Sequence, residues 1–199
     1  MRRGAMRVSS SEAKEAVVGA VEQELVSLRA RGVVMAGNAF SPIVLVKGSL
    51  NDEERTGAVL LSGADGTALR AALGAIGYAP EDFCALASVA GEADVSERAA
   101  EPDRPLPSGV FREALEALDP EAVILLDDAA ADVMREAYAD ALVAIEDFDT
   151  AMLKPGLVAH VLGRRVLALD GFEASLGDPK EKQRMWAYIK QLPPAGAPY

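Results

Sequence analysis

Four short apolar runs, Ile43–Val46, Phe83–Val89, Ala122–Leu126 and Val166–Leu169, are separated by segments whose apolar residues recur at helical spacing. This alternation constrains the fold more than any other feature of the chain. A continuous apolar run of four to seven residues suits a strand buried on both faces, and a strand followed by a crossover helix returns to the sheet parallel to its predecessor. The fold class expected is therefore α/β: a three-layer α/β/α sandwich around a short, mainly parallel sheet of four or five strands.

The helical segments carry their own punctuation. Ser9 with Glu12 forms a capping-box pattern, and Val17, Val21, Leu25 and Leu28 follow on one face, which predicts an amino-terminal amphipathic helix over about residues 9–31. A further apolar run, Val33–Ala36, precedes the first long strand. A Gly-dotted loop from Gly57 to Gly66 leads into a helix carrying Leu69, Leu73 and Ile76 that Gly77 stops, and further helices are expected around Phe111–Leu118 and from about Ala129. Asp178, Pro179 and Glu181 mark the start of the last one. The charged, Pro-bearing stretch 91–107 reads as a surface loop, and residues 193–199 as a flexible tail.

With 199 residues, half of them hydrophobic, the chain suits one domain spanning 1–199. A formal net charge of −11 opposes phosphate backbones, so a protein partner or a small-molecule ligand is expected ahead of DNA. No membrane span or secretory signal is legible, which points to the cytoplasm. The single cysteine, Cys84, excludes a disulfide framework, a Cys-rich zinc site and a four-cysteine iron–sulfur cluster within this chain, and no cofactor or metal is expected.

The segment IVLVKGSLNDEERTGAVLLSGADGTALRAALGAIGY resembles the first signature of the uracil-DNA glycosylase superfamily, especially its iron–sulfur-bearing bacterial and archaeal branch. There a strand runs into Gly-Glu-x-Pro-Gly, an acidic stretch, Arg-Thr-Gly, a Phe-bearing Gly-x-x-Gly loop and a helix ending in Ile-Gly. Glu54-Arg55-Thr56-Gly57, Gly63 and Gly66, and Ile76-Gly77 match it. DPEAVILLDDAAADVM is similar to the family's Arg-Pro-x-Val-Ile-Val-x-Leu-Gly strand and following helix. LALDGFEASLGDPKEKQRMWAYIKQL is similar to its closing strand, His-Pro-Ser loop and Trp-bearing helix, so the resemblance runs in order over roughly residues 33 to 192.

The resemblance also shows what has gone. Lys47-Gly48-Ser49-Leu50-Asn51 stands where the family orients its water. Gly171-Phe172-Glu173 replaces the His-Pro-Ser imidazole that steadies the departing base. Leu61 replaces the stacking phenylalanine, and the base-reading polar residue falls near Ala87 or Ser88. The cluster cysteines are absent. The implied protein is a uracil-DNA glycosylase-like, DNA-repair-related fold without uracil excision, acting as a binding module. The alternative is a divergent nucleobase- or nucleotide-processing hydrolase that uses relocated carboxylates.

Candidate residues follow from both lines of argument. Asn51, Asp52 and Glu173 are the candidates for a relocated water-activating group, although the plainer reading of Asn51 to Glu54 is a solvated acidic loop. A ligand pocket is expected at Lys47, Gly48, Ser49, Leu61, Ser88, Asp127, Asp170 and Gly171. Asp127, Asp170 and Glu173 either form an acidic mouth for a cation or serve as cap and turn residues. Lys47 either meets an anionic ligand or pairs with one of these acids. Arg164, Arg165, Lys180, Lys182 and Arg184 offer a basic face for weak DNA binding, and His160 is assigned no role.

Overall fold

The computed structural model describes residues 10–79, 83–91 and 104–196. Its sheet has six strands: β1 (Met35–Gly37), β2 (Ile43–Lys47), β3 (Cys84–Ala87), β4 (Ala122–Leu125), β5 (Val158–Val161) and β6 (Arg164–Ala168), in the order β1-β3-β2-β4-β6-β5. The inner four run parallel, and β1 and β5 close the two edges antiparallel. The expected α/β class is present, with six strands rather than four or five. The undercount arises from β5, which returns into β6 as a hairpin through Leu162 (φ 49°) and Gly163 (φ 84°); leucine in a left-handed turn position gives no sequence signal.

Every residue of β2, β3 and β4 is buried, as a parallel strand covered on both faces requires. Alternation then divides the side chains. Val44, Val46, Leu86, Val123 and Val166 pack against Leu25 and Leu28 of α1 (Ser10–Ala30), Phe111 and Leu115 of α4 (Ser108–Leu118) and Met134 of α5 (Asp128–Ala137). Ile43, Leu45, Ile124 and Leu167 pack against Leu69 and Leu73 of α3 (Ala64–Ala75) and Met185 and Ile189 of α9 (Pro179–Ile189). Helices thus cover both faces of the sheet.

The chain leaves β2 for β3 through α2 (Asp52–Arg55) and α3 on one face, then returns past β2 to β4 through α4 on the other. Connections therefore depart in opposite directions from β2 and β4, and the crevice at their carboxyl ends is where such sheets leave room for ligands.

Several boundaries differ from expectation. Helix α3 begins at Ala64, so Gly66 lies in its first turn instead of the loop. A side chain at Gly66 would stand 1.7 Å from the Leu61 carbonyl oxygen, which explains the glycine. The acidic run after Asn51 forms the helical turn α2, not an open loop, because Asn51 and Glu54 make a capping box. At the end of the 91–107 segment, Val89 bridges Pro105, Ala90 donates to the Arg104 carbonyl, and Leu106 is buried. The start of the carboxyl-terminal tail is tied down, since the Arg165 guanidinium donates to the Pro193 carbonyl. Ser9, the cap expected for α1, and residues 92–103 and 197–199 lie outside the described residues. Among the described residues no helix is long and apolar enough to cross a membrane.

Candidate functional site

Strand alternation turns Lys47, the last residue of β2, to the face that carries Ile43 and Leu45, and there it ends in three carboxylates. Its Nζ lies 2.7 Å from Glu54 Oε2, 2.6 Å from Asp65 Oδ2 and 2.8 Å from Glu173 Oε2. The side chains of Lys47, Glu54 and Asp65 are 3, 2 and 2% exposed, whereas Glu173 is 45% exposed.

Local structure positions each partner. The capping box turns Glu54 inward, where Oε2 accepts the Asn51 N–H at 3.0 Å and Oε1 accepts the Leu61 N–H at 2.9 Å. Asp65, in the first turn of α3, accepts the Gly66 N–H at 2.8 Å through Oδ1. Glu173 belongs to the short turn α8 (Phe172–Ser175) after β6; its other contact is the Asn51 side-chain amide at 3.5 Å. Two carboxylates are therefore anchored by backbone, and one is held mainly by the lysine.

An ammonium has three protons to donate, and here three carboxylates surround it: Asp65 Oδ2 accepts a hydrogen bond, and Glu54 and Glu173 are ion-paired to it. Burial alone would lower the Lys47 pKa; the carboxylates of Asp65, which accepts its hydrogen bond, and of Glu173 and Glu54 outweigh it and raise the group above its ordinary 10.5. One cation among three carboxylates leaves a formal local charge of −2.

Beside this cluster, Asp127 closes the loop after β2. Its carboxylate accepts the N–H groups of Gly48 at 2.9 Å, Ser49 at 3.0 Å and Ala130 at 2.9 Å, capping α5 and tying it to the β2 loop. The fit requires Gly48, where a side chain would approach the Ala130 nitrogen to 2.6 Å.

Above these groups opens a cavity of about 440 Å³, lined by Lys47, Ser49, Leu50, Asn51, Asp65, Leu126, Asp127, Gly171, Phe172, Glu173 and Ala174. It lies at the carboxyl ends of β2, β4 and β6, across the reversal in connection direction. Of the expected pocket residues, Lys47, Ser49, Asp127 and Gly171 line it, joined by Asn51 and Glu173. Gly48, Leu61, Ser88 and Asp170 do not. Leu61 and Ser88 are fully buried, Gly48 is buried under Asp127, and Asp170 pairs with Arg184 at 3.0 Å. Asp52 also points away, fully exposed and paired with Arg55 at 3.2 Å.

Sequence reasoning missed Asp65, Leu50, Leu126 and Phe172. Only Asp65 left a trace, as an acidic residue in the first turn of a helix between Gly63 and Gly66. Asp127 and Glu173 both line the cavity, but Asp127 is occupied by backbone N–H groups, Glu173 is paired with Lys47, and Asp170 lies outside, paired with Arg184, so the three do not form the expected acidic mouth. Among the described residues no group of three or more His, Cys, Asp or Glu side chains is placed to hold a metal ion.

Ion pairs neutralise Arg164 and Arg184 of the expected basic face. Arg164 is buried and paired with Glu116 and Asp119, Arg165 is tied to Pro193, and Arg184 is paired with Asp170 and Glu181. His160 is exposed on the edge strand β5. On α9, Met185 and Ile189 are core, and Trp186 is half-buried, lining a separate groove of about 460 Å³ against alanines of α3. No protein-family model matches the chain, and no curated protein matches it significantly.

Proposed function

We propose that this chain is a uracil-DNA glycosylase-like protein without uracil excision, and that it binds a small ligand in the cavity at the carboxyl ends of β2, β4 and β6. The observation that carries this is the buried ammonium of Lys47, ion-paired to three carboxylates within 2.8 Å at the cavity floor.

Uracil excision develops negative charge on the departing base, and a site that accelerates it aims donors or positive charge at that position. Here the lysine's charge is met by three carboxylates, and the net formal charge is negative. A single uncompensated unit charge about 4 Å away at an effective dielectric near 20 is worth about 4 kcal/mol, or about three orders of magnitude in rate. A pyrimidine anion would therefore be destabilised where the superfamily stabilises it. The cavity itself is of ligand-binding size, with apolar walls from Leu50, Leu126 and Phe172 and a few converging polar groups.

A thermal-shift screen of the full chain over nucleobases, nucleosides, phosphates and small amines tests the binding claim, because a ligand selective for the native state raises the melting temperature. At least one class is expected to do so; a flat screen at millimolar ligand contradicts the proposal.

A second reading, a divergent hydrolase acting on nucleobase or nucleotide substrates, is favoured by one observation: Asn51 and Glu173 both line the cavity, 3.5 Å apart. Glu173 would then be the water-activating group. Turnover of a nucleoside that disappears in Glu173→Gln would support it, and absence of turnover across such substrates would remove it.

A further inference from the structure

The cavity offers a ligand an apolar body site and an acceptor-rich end. Leu50, Leu126 and Phe172 form the walls, and Glu173 is the only one of the three carboxylates around Lys47 that is substantially exposed. We infer that the cavity selects a ligand with an apolar ring and a cationic nitrogen head, such as an amidine or primary amine, and that Glu173 is the residue that grips the head. The inference rests on the ligand-binding proposal above.

Charge and donor inventory distinguish this class from its alternatives. An anionic ligand would have to meet a floor of formal charge −2, where the Lys47 ammonium is already ion-paired to three carboxylates. Asp127 offers little either way, since backbone N–H groups of Gly48, Ser49 and Ala130 already occupy its oxygens. Glu54 and Asp65 are buried and anchored. Glu173 Oε1 has only the 3.5 Å contact to Asn51, so it retains acceptor capacity toward the opening. A planar cationic fork suits a carboxylate with free lone pairs, and the ring of such a ligand suits the phenyl and leucyl walls.

Titration calorimetry on the intact chain with three probes of one shape tests this: benzamidine, neutral benzamide and anionic benzoate. Benzamidine is expected to bind at least tenfold more tightly than benzamide, and benzoate not measurably. Glu173→Gln is expected to weaken benzamidine at least tenfold while leaving benzamide within threefold. Glu173→Asp, which keeps the charge, is expected to keep the preference for the cation. Benzoate binding best, or benzamidine unaffected by Glu173→Gln, overturns the inference. Equal binding of all three leaves the cavity a ligand site and removes only the charge selectivity. If none binds up to millimolar concentration, this inference fails; the broader screen of nucleobases, nucleosides and phosphates then decides the ligand-binding proposal separately.

Discussion

Lys47 Nζ and Asp65 Oδ2 lie 2.6 Å apart, 18 positions apart in sequence, with both side chains almost fully buried. The contact joins the end of the central strand β2 to the first turn of α3, so it fixes the cavity floor as well as the charge there.

Removing the cation from that floor is expected to be costly. Lys47→Met leaves Glu54 and Asp65 buried without their counter-charge, a loss of about 3–5 kcal/mol. Adding Glu54→Gln and Asp65→Asn to Lys47→Met should recover part of it. Urea denaturation of the single and triple variants measures both; a loss below about 1 kcal/mol for Lys47→Met would mean that the cluster is not structurally coupled.

The capping carboxylate has a graded outcome. Asp127→Ala removes the acceptor for Gly48, Ser49 and Ala130 and should destabilise by about 1–2 kcal/mol or somewhat more. Asp127→Asn keeps one acceptor oxygen and should lose less. Equal losses in the two variants would contradict the hydrogen-bonding role.

Two glycines of one helix should respond in opposite directions. Gly66→Ala places a carbon 1.7 Å from the Leu61 carbonyl oxygen and should destabilise by more than about 1–3 kcal/mol, because that oxygen is backbone. Gly74→Ala meets nothing within 4 Å and should stabilise by about 0.5–1 kcal/mol. Thermal denaturation reads both shifts.

Stability should fall on the alkaline side. Burial pushes the Cys84 thiol up from 9.0 to about 11, slightly offset by the charge of Arg29. A group whose folded pKa is raised contributes fully below its unfolded value and loses that contribution as pH rises through the folded one. The window is thus pH 9 to 11, with a slope of at most about 1.4 kcal/mol per unit from this thiol. Cys84→Ala should flatten that part of the profile in urea titrations at pH 8, 9, 10 and 11; an unchanged slope would contradict the assignment.

Much of the fold was legible because buried parallel strands leave an unmistakable pattern: Ile43–Val46 and Ala122–Leu126 are apolar throughout, and both became central strands. Edge elements were harder. Met35–Gly37 and Val158–Val161 are short and partly exposed, so neither shows the wholly buried pattern of a strand covered on both faces. At the site, Lys47, Asn51, Asp127 and Glu173 could be read because they follow strand ends. Asp65 and Phe172 could not, since a helix first turn and a post-strand turn acquire their direction only from packing. Leu61 and Ser88 were placed by correspondence of segments alone, and the backbone at Leu61 (φ 55°) turns that side chain into the core.

Single-turnover release of uracil, with the full chain in excess over single- or double-stranded oligonucleotide, tests most directly whether the lysine–carboxylate floor precludes excision. No release above the uncatalysed background is expected at neutral pH. Release by the wild-type chain that disappears in Glu173→Gln would contradict it.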